Sequence, residues 1–116
     1  MTTEKYETAC QTLFAQAERE LAQGDARQAA EKGWGAAAQA VKAVCESRGW
    51  DHVSHRDLRL AARELSRETG DREIRVLFEA ANTLHKNFYE DFYNVDEVGE
   101  SLIDVRRFID KLDALP

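Results

Sequence analysis

Apolar residues recur every three or four positions along almost the whole chain, as on one face of an α-helix, and no stretch alternates like a strand. Glycines and polar turn residues interrupt this pattern at four points. We therefore predict an all-α protein. Its helices are predicted at residues 3–23, 26–48, 55–68 and 72–92, with a fifth that begins after Asn94.

Each of the four later helices is preceded by a residue that commonly caps a helix N-terminus. These residues are Asp25, Ser54, Asp71 and Asn94. Because the predicted connections are short, successive helices should be antiparallel neighbours. The expected fold is one domain, residues 1–116, built as an up-and-down antiparallel bundle of four long helices plus one short helix.

The fourth helix contains the stretch LHKNFYEDFY, residues 84–93. Its spacing places Phe88 and Phe92 on the apolar face and Asn87 on the opposite, polar face. His85 falls at the edge of the apolar face, within a polar border formed by Arg75, Asn82, His85, Lys86 and Tyr89. Two interpretations of this polar border are open. His85 is a half-buried histidine satisfied by Asn82 or Tyr89, or the border lines a groove in which histidine moves protons and basic residues hold phosphate.

A second group of candidate residues surrounds the start of the third helix. His52 and His55 have a spacing that metal ligands can have, but no third and fourth ligand group is defined, so we expect no metal. No glycine-rich phosphate loop is present, and we expect no cofactor. Further along the same helix a basic row is formed by Arg56, Arg59, Arg63 and Arg67. This row is either a solvated face or a strip that binds the phosphates of RNA or a nucleotide.

Composition and charge narrow the function and the location. The formal net charge is −6, so binding of duplex DNA is not expected, because it requires a basic surface. No apolar run could span a membrane, and the N-terminus lacks the basic segment of a signal peptide. Cys10 and Cys45 should lie about 9 Å apart along paired helices, too far for a disulfide. We therefore expect two buried free thiols and a cytoplasmic protein.

Two segments resemble a known superfamily. ARQAAEKGWGAAAQAVKAV, residues 26–44, followed by ANTLHKNFYEDF, residues 81–92, resembles the HEPN superfamily. It is most similar to a small prokaryotic branch of stand-alone HEPN-like proteins first noted in archaeal repeat elements. The resemblance implies a helical bundle that forms a homodimer, with Trp34 or Trp50 as possible contact residues. It also implies a small nucleotidyltransferase as partner in a two-gene toxin–antitoxin pair.

Catalytic HEPN proteins are metal-independent ribonucleases that carry an arginine and a following histidine with four to six residues between them. Here Arg75, the nearest arginine before His85, is separated from it by nine residues, and the pair Arg48 and His55 has the spacing at the wrong place in the fold. We therefore favour a binding module that recognises RNA, a nucleotide or a partner protein. The alternative is a ribonuclease, with His85 as general acid or base and Arg75 or an arginine of the third helix holding phosphate.

Overall fold

The computed structural model describes residues 2–116, and within them the chain forms five α-helices and no strand. The helices are α1 (Thr2–Ala22), α2 (Ala26–Arg48), α3 (His55–Thr69), α4 (Arg72–Glu90) and α5 (Val95–Asp113). The all-α class and the five predicted helices are confirmed, and α3 is the shortest, with 15 residues. None of the helices described is long and apolar enough to cross a membrane.

The predicted caps account for where the helices begin. Asp25, Ser54, Asp71 and Asn94 each accept a hydrogen bond from a backbone N–H in the following turn. The boxes at Ser54 and Asn94 are complete, because the carboxylate three residues later bonds back to the cap's own N–H. Two of the helices end at Gly49 and Gly70, which adopt the left-handed conformation that glycine tolerates best.

Helix α2 lies at the centre of the molecule and packs against all four other helices. Small residues make this arrangement possible, since most of the buried surface of α2 consists of alanine. The closest approach is at Gly33. A Cβ atom added there would lie 2.5 Å from Leu102 Cδ2 of α5 and 3.3 Å from Leu84 Cδ1 of α4. Side chains of α4 and α5 therefore pack directly on the backbone of α2.

The buried core agrees with most of the predicted apolar faces. In α3, and in α4 as far as Leu84, the apolar residues that recur every three or four positions are buried: Leu58, Ala61, Ala62, Leu65, Ile74, Leu77, Phe78, Ala81 and Leu84. Two large core residues, Phe14 and Phe108, lie outside the faces that the pattern singled out. Each sits next to a predicted position, because the buried face is wider than a single seam.

The end of α4 differs from the prediction. The helix stops at Glu90, Asp91 is left-handed with φ of 52°, and Phe92 is 47% exposed, so the placement of Phe92 in the core was wrong. The cause is Asn87, which is fully buried and not on the polar face. Its Oδ1 accepts hydrogen bonds from the backbone N–H of Phe92 at 2.8 Å and of Tyr93 at 2.7 Å. The side chain thus holds the chain in a turn that a helical projection cannot represent.

Phe88, predicted to be core, is half-buried beneath a cation of α2. Arg27 donates from Nε and Nη2 to the carbonyl oxygen of Phe88, at 2.9 and 2.7 Å. Its guanidinium carbon also lies 5.3 Å from the centre of the Phe88 ring. A positive group is favourable at the C-terminal end of a helix, where carbonyls lack partners. Arg27 therefore joins α2 to the last turn of α4.

Cys10 and Cys45 are buried and free, as predicted. Burial raises the pKa of both thiols to about 11. Both are therefore protonated near neutral pH and pack as small apolar side chains.

The substitution Gly33→Ala tests the close approach of α2. Alanine in place of glycine favours a helix by about 1 kcal/mol. An added methyl group in a packed interior costs about 1–3 kcal/mol, and here it would overlap Leu102. We expect urea denaturation to give a lower free energy of unfolding, by up to about 2 kcal/mol, because the steric cost exceeds the gain in propensity.

The matched control is Gly99→Ala on α5, where the new Cβ would lie 3.5 Å from Leu21 Cδ2, an ordinary contact. This variant should be more stable than the wild type by up to about 1 kcal/mol. Equal stabilisation by both substitutions would show that α4 and α5 do not pack on the backbone at Gly33.

Candidate functional site

Four rings from three helices meet at one side of the molecule. Trp34 of α2 stacks on His55, the first residue of α3, with ring centres 4.9 Å apart and planes 22° apart. His85 of α4 lies 5.5 Å from Trp34 and 6.2 Å from His55. Tyr89, one turn after His85, meets its ring edge-on at 5.5 Å. We refer to Trp34, His55, His85 and Tyr89 as the histidine–tryptophan cluster.

Trp34 connects the cluster to the core. Its ring is buried, and it meets Phe78 edge-on at 5.7 Å. His55 reaches it because the Ser54 cap starts α3 at that point, so the first side chain of the helix extends towards α2. No feature of the sequence indicates that two histidines cover Trp34. Trp34 is 8% exposed, and its part in a dimer contact stays a prediction.

Glu31 holds His85 in place. Its Oε1 lies 2.9 Å from Nδ1 of His85, and each of the two side chains is about one-third exposed. The predicted partners, Asn82 and Tyr89, do not make this hydrogen bond. A carboxylate accepts the proton of Nδ1–H, which leaves Nε2 as the nitrogen available to a ligand. Glu31 lies one turn before Trp34 on an alanine-rich face of α2. That position was the only feature of the sequence that could have drawn attention to Glu31 as a site residue.

The cluster is open to solvent on its outer side. Tyr89 is 69% exposed, and His55 is also exposed. On the side of α1 and α2 it adjoins a surface groove of about 420 Å³, lined by Glu31, Trp34 and His55 together with residues of α1 and α2. A planar group could therefore approach the rings without any change in the core.

The remaining predicted site residues divide into two groups. Arg56 and Arg59 follow His55 in the first two turns of α3, and Lys86 follows His85 directly. No ion pair joins any of these three cations to another residue of the described part of the chain. Asn82 is half-buried, one turn before His85. These residues are close in sequence to His55 or His85, and their part in a site stays a prediction.

Arg75 and Arg63 do not join the cluster. Arg75 precedes His85 by ten positions, which corresponds to about 15 Å along α4. It lies instead with Arg63, Arg67 and Arg72 around a surface concavity of about 640 Å³ at the turn between α3 and α4. The pairing of Arg75 with His85 as catalytic candidates is therefore not supported by the geometry, because a shared face of a helix does not imply a shared height.

His52 lies outside the cluster. It bonds Glu46 at 2.8 Å and meets the ring of Tyr6 edge-on at 5.3 Å. It therefore does not act with His55, three residues further on. Within residues 2–116 no group of three or more histidine, cysteine, aspartate or glutamate side chains is placed to hold a metal ion.

The geometry defines a small all-α protein with a solvent-facing cluster of rings at the junction of α2, α3 and α4. The chain belongs to the archaeal PaREP1/PaREP8 family, whose model matches residues 5–109. It is similar to the crystal structure of a protein from Sulfolobus solfataricus, with a TM-score of 0.81 and 27% sequence identity. That similarity covers 90% of this chain and 93% of the other. No curated protein matches the chain significantly.

The family assignment agrees with the predicted resemblance to proteins of archaeal repeat elements. It does not extend to the wider HEPN superfamily, and that relationship stays a prediction.

Proposed function

We propose that this chain is a HEPN-like binding module that recognises single-stranded RNA or a nucleotide through the histidine–tryptophan cluster. The observation that carries the proposal is the convergence of His55, His85 and Tyr89 on one open surface, with Trp34 behind them. Of these four rings only Trp34 belongs to the buried core.

Exposed rings suit nucleobases because every base has a flat face that can stack. Stacking on an aromatic side chain contributes about 1–3 kcal/mol per base and depends little on sequence. Tyr89, the outermost ring, offers the most accessible surface. The imidazoles add donors and acceptors for the edge of a base, with Nε2 of His85 left free by Glu31.

Cations at the border suit the phosphates of the same ligand. No ion pair joins Arg56, Arg59 or Lys86 to a carboxylate in the described chain. The pKa of Asp57 is lowered chiefly by hydrogen bonds at Ser54 and only in smaller part by Arg56. Guanidinium groups bind phosphate through paired N–H donors. The positive charge is local, since the whole chain carries −6. A single strand needs only a narrow basic strip, whereas a duplex would have to approach a largely acidic protein.

A ribonuclease is the second candidate, and one observation favours it: two imidazoles lie 6.2 Å apart, one of them oriented by a carboxylate. In such a reaction His85 would take the proton of a ribose 2′-hydroxyl. The 2′-oxygen would then attack phosphorus, and the bond from phosphorus to the 5′-oxygen would break. His55 would donate a proton to that leaving oxygen. The products would be a 2′,3′-cyclic phosphate and a 5′-hydroxyl, and no metal is required.

We also propose that the chain forms a homodimer through a groove between α1 and α5. Ile103, which is 70% exposed, lies there beside Phe14, Leu21 and Leu102. The same groove carries both signs of charge, from Glu18, Asp110, Arg106 and Arg107. A two-fold axis places a surface against itself, so a face with apolar residues and both charges is suited to a second copy. The nucleotidyltransferase partner, the toxin–antitoxin pairing and the cytoplasmic location stay predictions.

Replacing two residues of the cluster tests the binding proposal. His85→Ala/Tyr89→Ala should weaken the binding of a fluorescein-labelled oligonucleotide of about eight nucleotides by roughly tenfold or more, since stacked bases are lost. Fluorescence anisotropy measures this affinity. The control is His52→Ala/Tyr6→Ala, because His52 makes a similar pair with a glutamate and a tyrosine edge outside the cluster. Equal loss in both variants, or no binding by the wild type, would refute the proposal.

The same oligonucleotide distinguishes binding from cleavage. If the chain is a ribonuclease, mass spectrometry of the incubated RNA should show fragments ending in a 2′,3′-cyclic phosphate. A strand with 2′-deoxyribose throughout should stay intact, since it lacks the attacking group. Glu31→Gln should slow cleavage more than it weakens binding, because the amide orients His85 less well. Intact RNA after long incubation at saturating protein would exclude the ribonuclease.

The substitution Ile103→Glu tests the dimer. A charge in the centre of an apolar contact is costly to bury, so light scattering at tens of micromolar should show the mass of one chain where the wild type shows two. Val53→Glu is the control, because Val53 is exposed but lies outside the α1–α5 groove. A wild-type protein with the mass of one chain would contradict the proposal.

A further inference from the structure

A second basic feature lies at the other end of α3 and α4, away from the histidine–tryptophan cluster. We call it the arginine concavity, and its lining consists of Leu60, Arg63, Glu64, Ser66, Arg67, Gly70, Arg72 and Arg75. Four guanidinium groups thus surround one carboxylate. On a chain with a net charge of −6, such a local excess of positive charge calls for an explanation.

The acidic residues near the concavity are already engaged. Arg67 binds Glu64 within the lining. Just outside it, Glu68 pairs with Arg48, and Asp71 pairs with Lys111 at 2.7 Å. Lys111 also lowers the pKa of Asp71, so that carboxylate remains ionised and committed to its partner.

Three arginines of the concavity remain without such partners. Within the described chain no ion pair involves Arg63, Arg72 or Arg75. Arg75 is half-buried, so part of its side chain packs against the protein. Guanidinium groups without a carboxylate partner keep their N–H donors available to an anion.

The turn that carries these arginines is held firmly. Ser66 is buried, and its Oγ donates to the carbonyl oxygen of Asp71 at 2.6 Å. Ser66 Oγ also accepts a hydrogen bond from the backbone N–H of Arg75 at 3.3 Å. The last turn of α3 and the first turn of α4 are thereby fixed relative to each other, so the arginines of both helices approach the concavity from set positions.

We propose that the arginine concavity is a second binding site, specific for phosphate groups. Guanidinium groups bind phosphate through paired donors, and several of them around one hollow match a group that carries more than one charge. Arg72 and Arg75 also stand in the first turn of α4, where the helix dipole favours an anion. The phosphates come either from the backbone of a nucleic acid strand or from a free oligophosphate.

The position of the concavity defines the ligand more closely, provided that the proposed RNA binding at the cluster holds. Arg75 and His85 are about 15 Å apart along α4. A mononucleotide cannot reach both sites, whereas a single strand of several nucleotides can follow α3 from one to the other. The basic row of Arg56, Arg59 and Arg63 lies along that path. The ligand class is therefore an oligonucleotide whose backbone enters the concavity.

The test uses the double variant Arg72→Gln/Arg75→Gln and two probes. The first probe is inorganic pyrophosphate, followed at low salt by the NMR signals of the arginine Nε–H groups. We expect the wild-type signals of Arg63, Arg72 and Arg75 to shift and saturate, and the double variant to bind at least tenfold more weakly. The charge-matched control is Lys5→Gln/Arg19→Gln on α1, where both residues are exposed, and it should bind like the wild type.

The second probe is the labelled oligonucleotide, measured at several salt concentrations. Loss of two phosphate contacts from a single strand should reduce the slope of log affinity against log salt by roughly 1.4. If pyrophosphate binds but this slope is unchanged, the site is confirmed as one for a free oligophosphate. If pyrophosphate fails to bind, or if both double variants lose it equally, the phosphate site is refuted. The pyrophosphate result does not depend on whether the histidine–tryptophan cluster binds RNA.

Discussion

The close packing of α4 and α5 on the bare backbone of α2 at Gly33 determines how the other parts of the molecule are placed. With α2 so near, its polar side chains reach α4 directly. Arg27 bonds the Phe88 carbonyl, and Glu31 bonds His85. Residue numbers rise along α2 as they fall along α4, so the two helices are antiparallel. A bulkier residue at Gly33 would separate the helices and loosen the contact that orients His85.

The apolar core, the aromatic cluster and the charged residues occupy different regions of the molecule. Trp34 forms the boundary between core and solvent, with Phe78 on its inner side and two histidines on its outer side. Four arginines of α3 and α4 surround the arginine concavity, while residues 90–116 are strongly acidic. The proposed path for an oligonucleotide runs from the histidine–tryptophan cluster along α3 to the arginine concavity.

The helices and their caps could be predicted because both depend on residues close together in sequence. The rest depends on contacts across the fold. Glu31 and His85 are 54 positions apart, and nothing in the sequence pairs them. The exposure of Phe92 follows from the buried amide of Asn87, which ends the helix. Arg75 shares a face with His85 but lies about 15 Å away along the helix, a separation that angular position alone does not reveal.

The central claim is that His55 and His85 belong to one ligand site. The most direct measurement is a long-range ¹H–¹⁵N NMR spectrum of the histidine side chains during titration with a short single-stranded RNA. The protein has three histidines, and His52 lies outside the cluster, so it is an internal reference. If His55 and His85 share a ligand site, their signals should show saturable shifts while the His52 signal stays unchanged. Equal shifts of all three, or none at saturating RNA, would contradict a shared site.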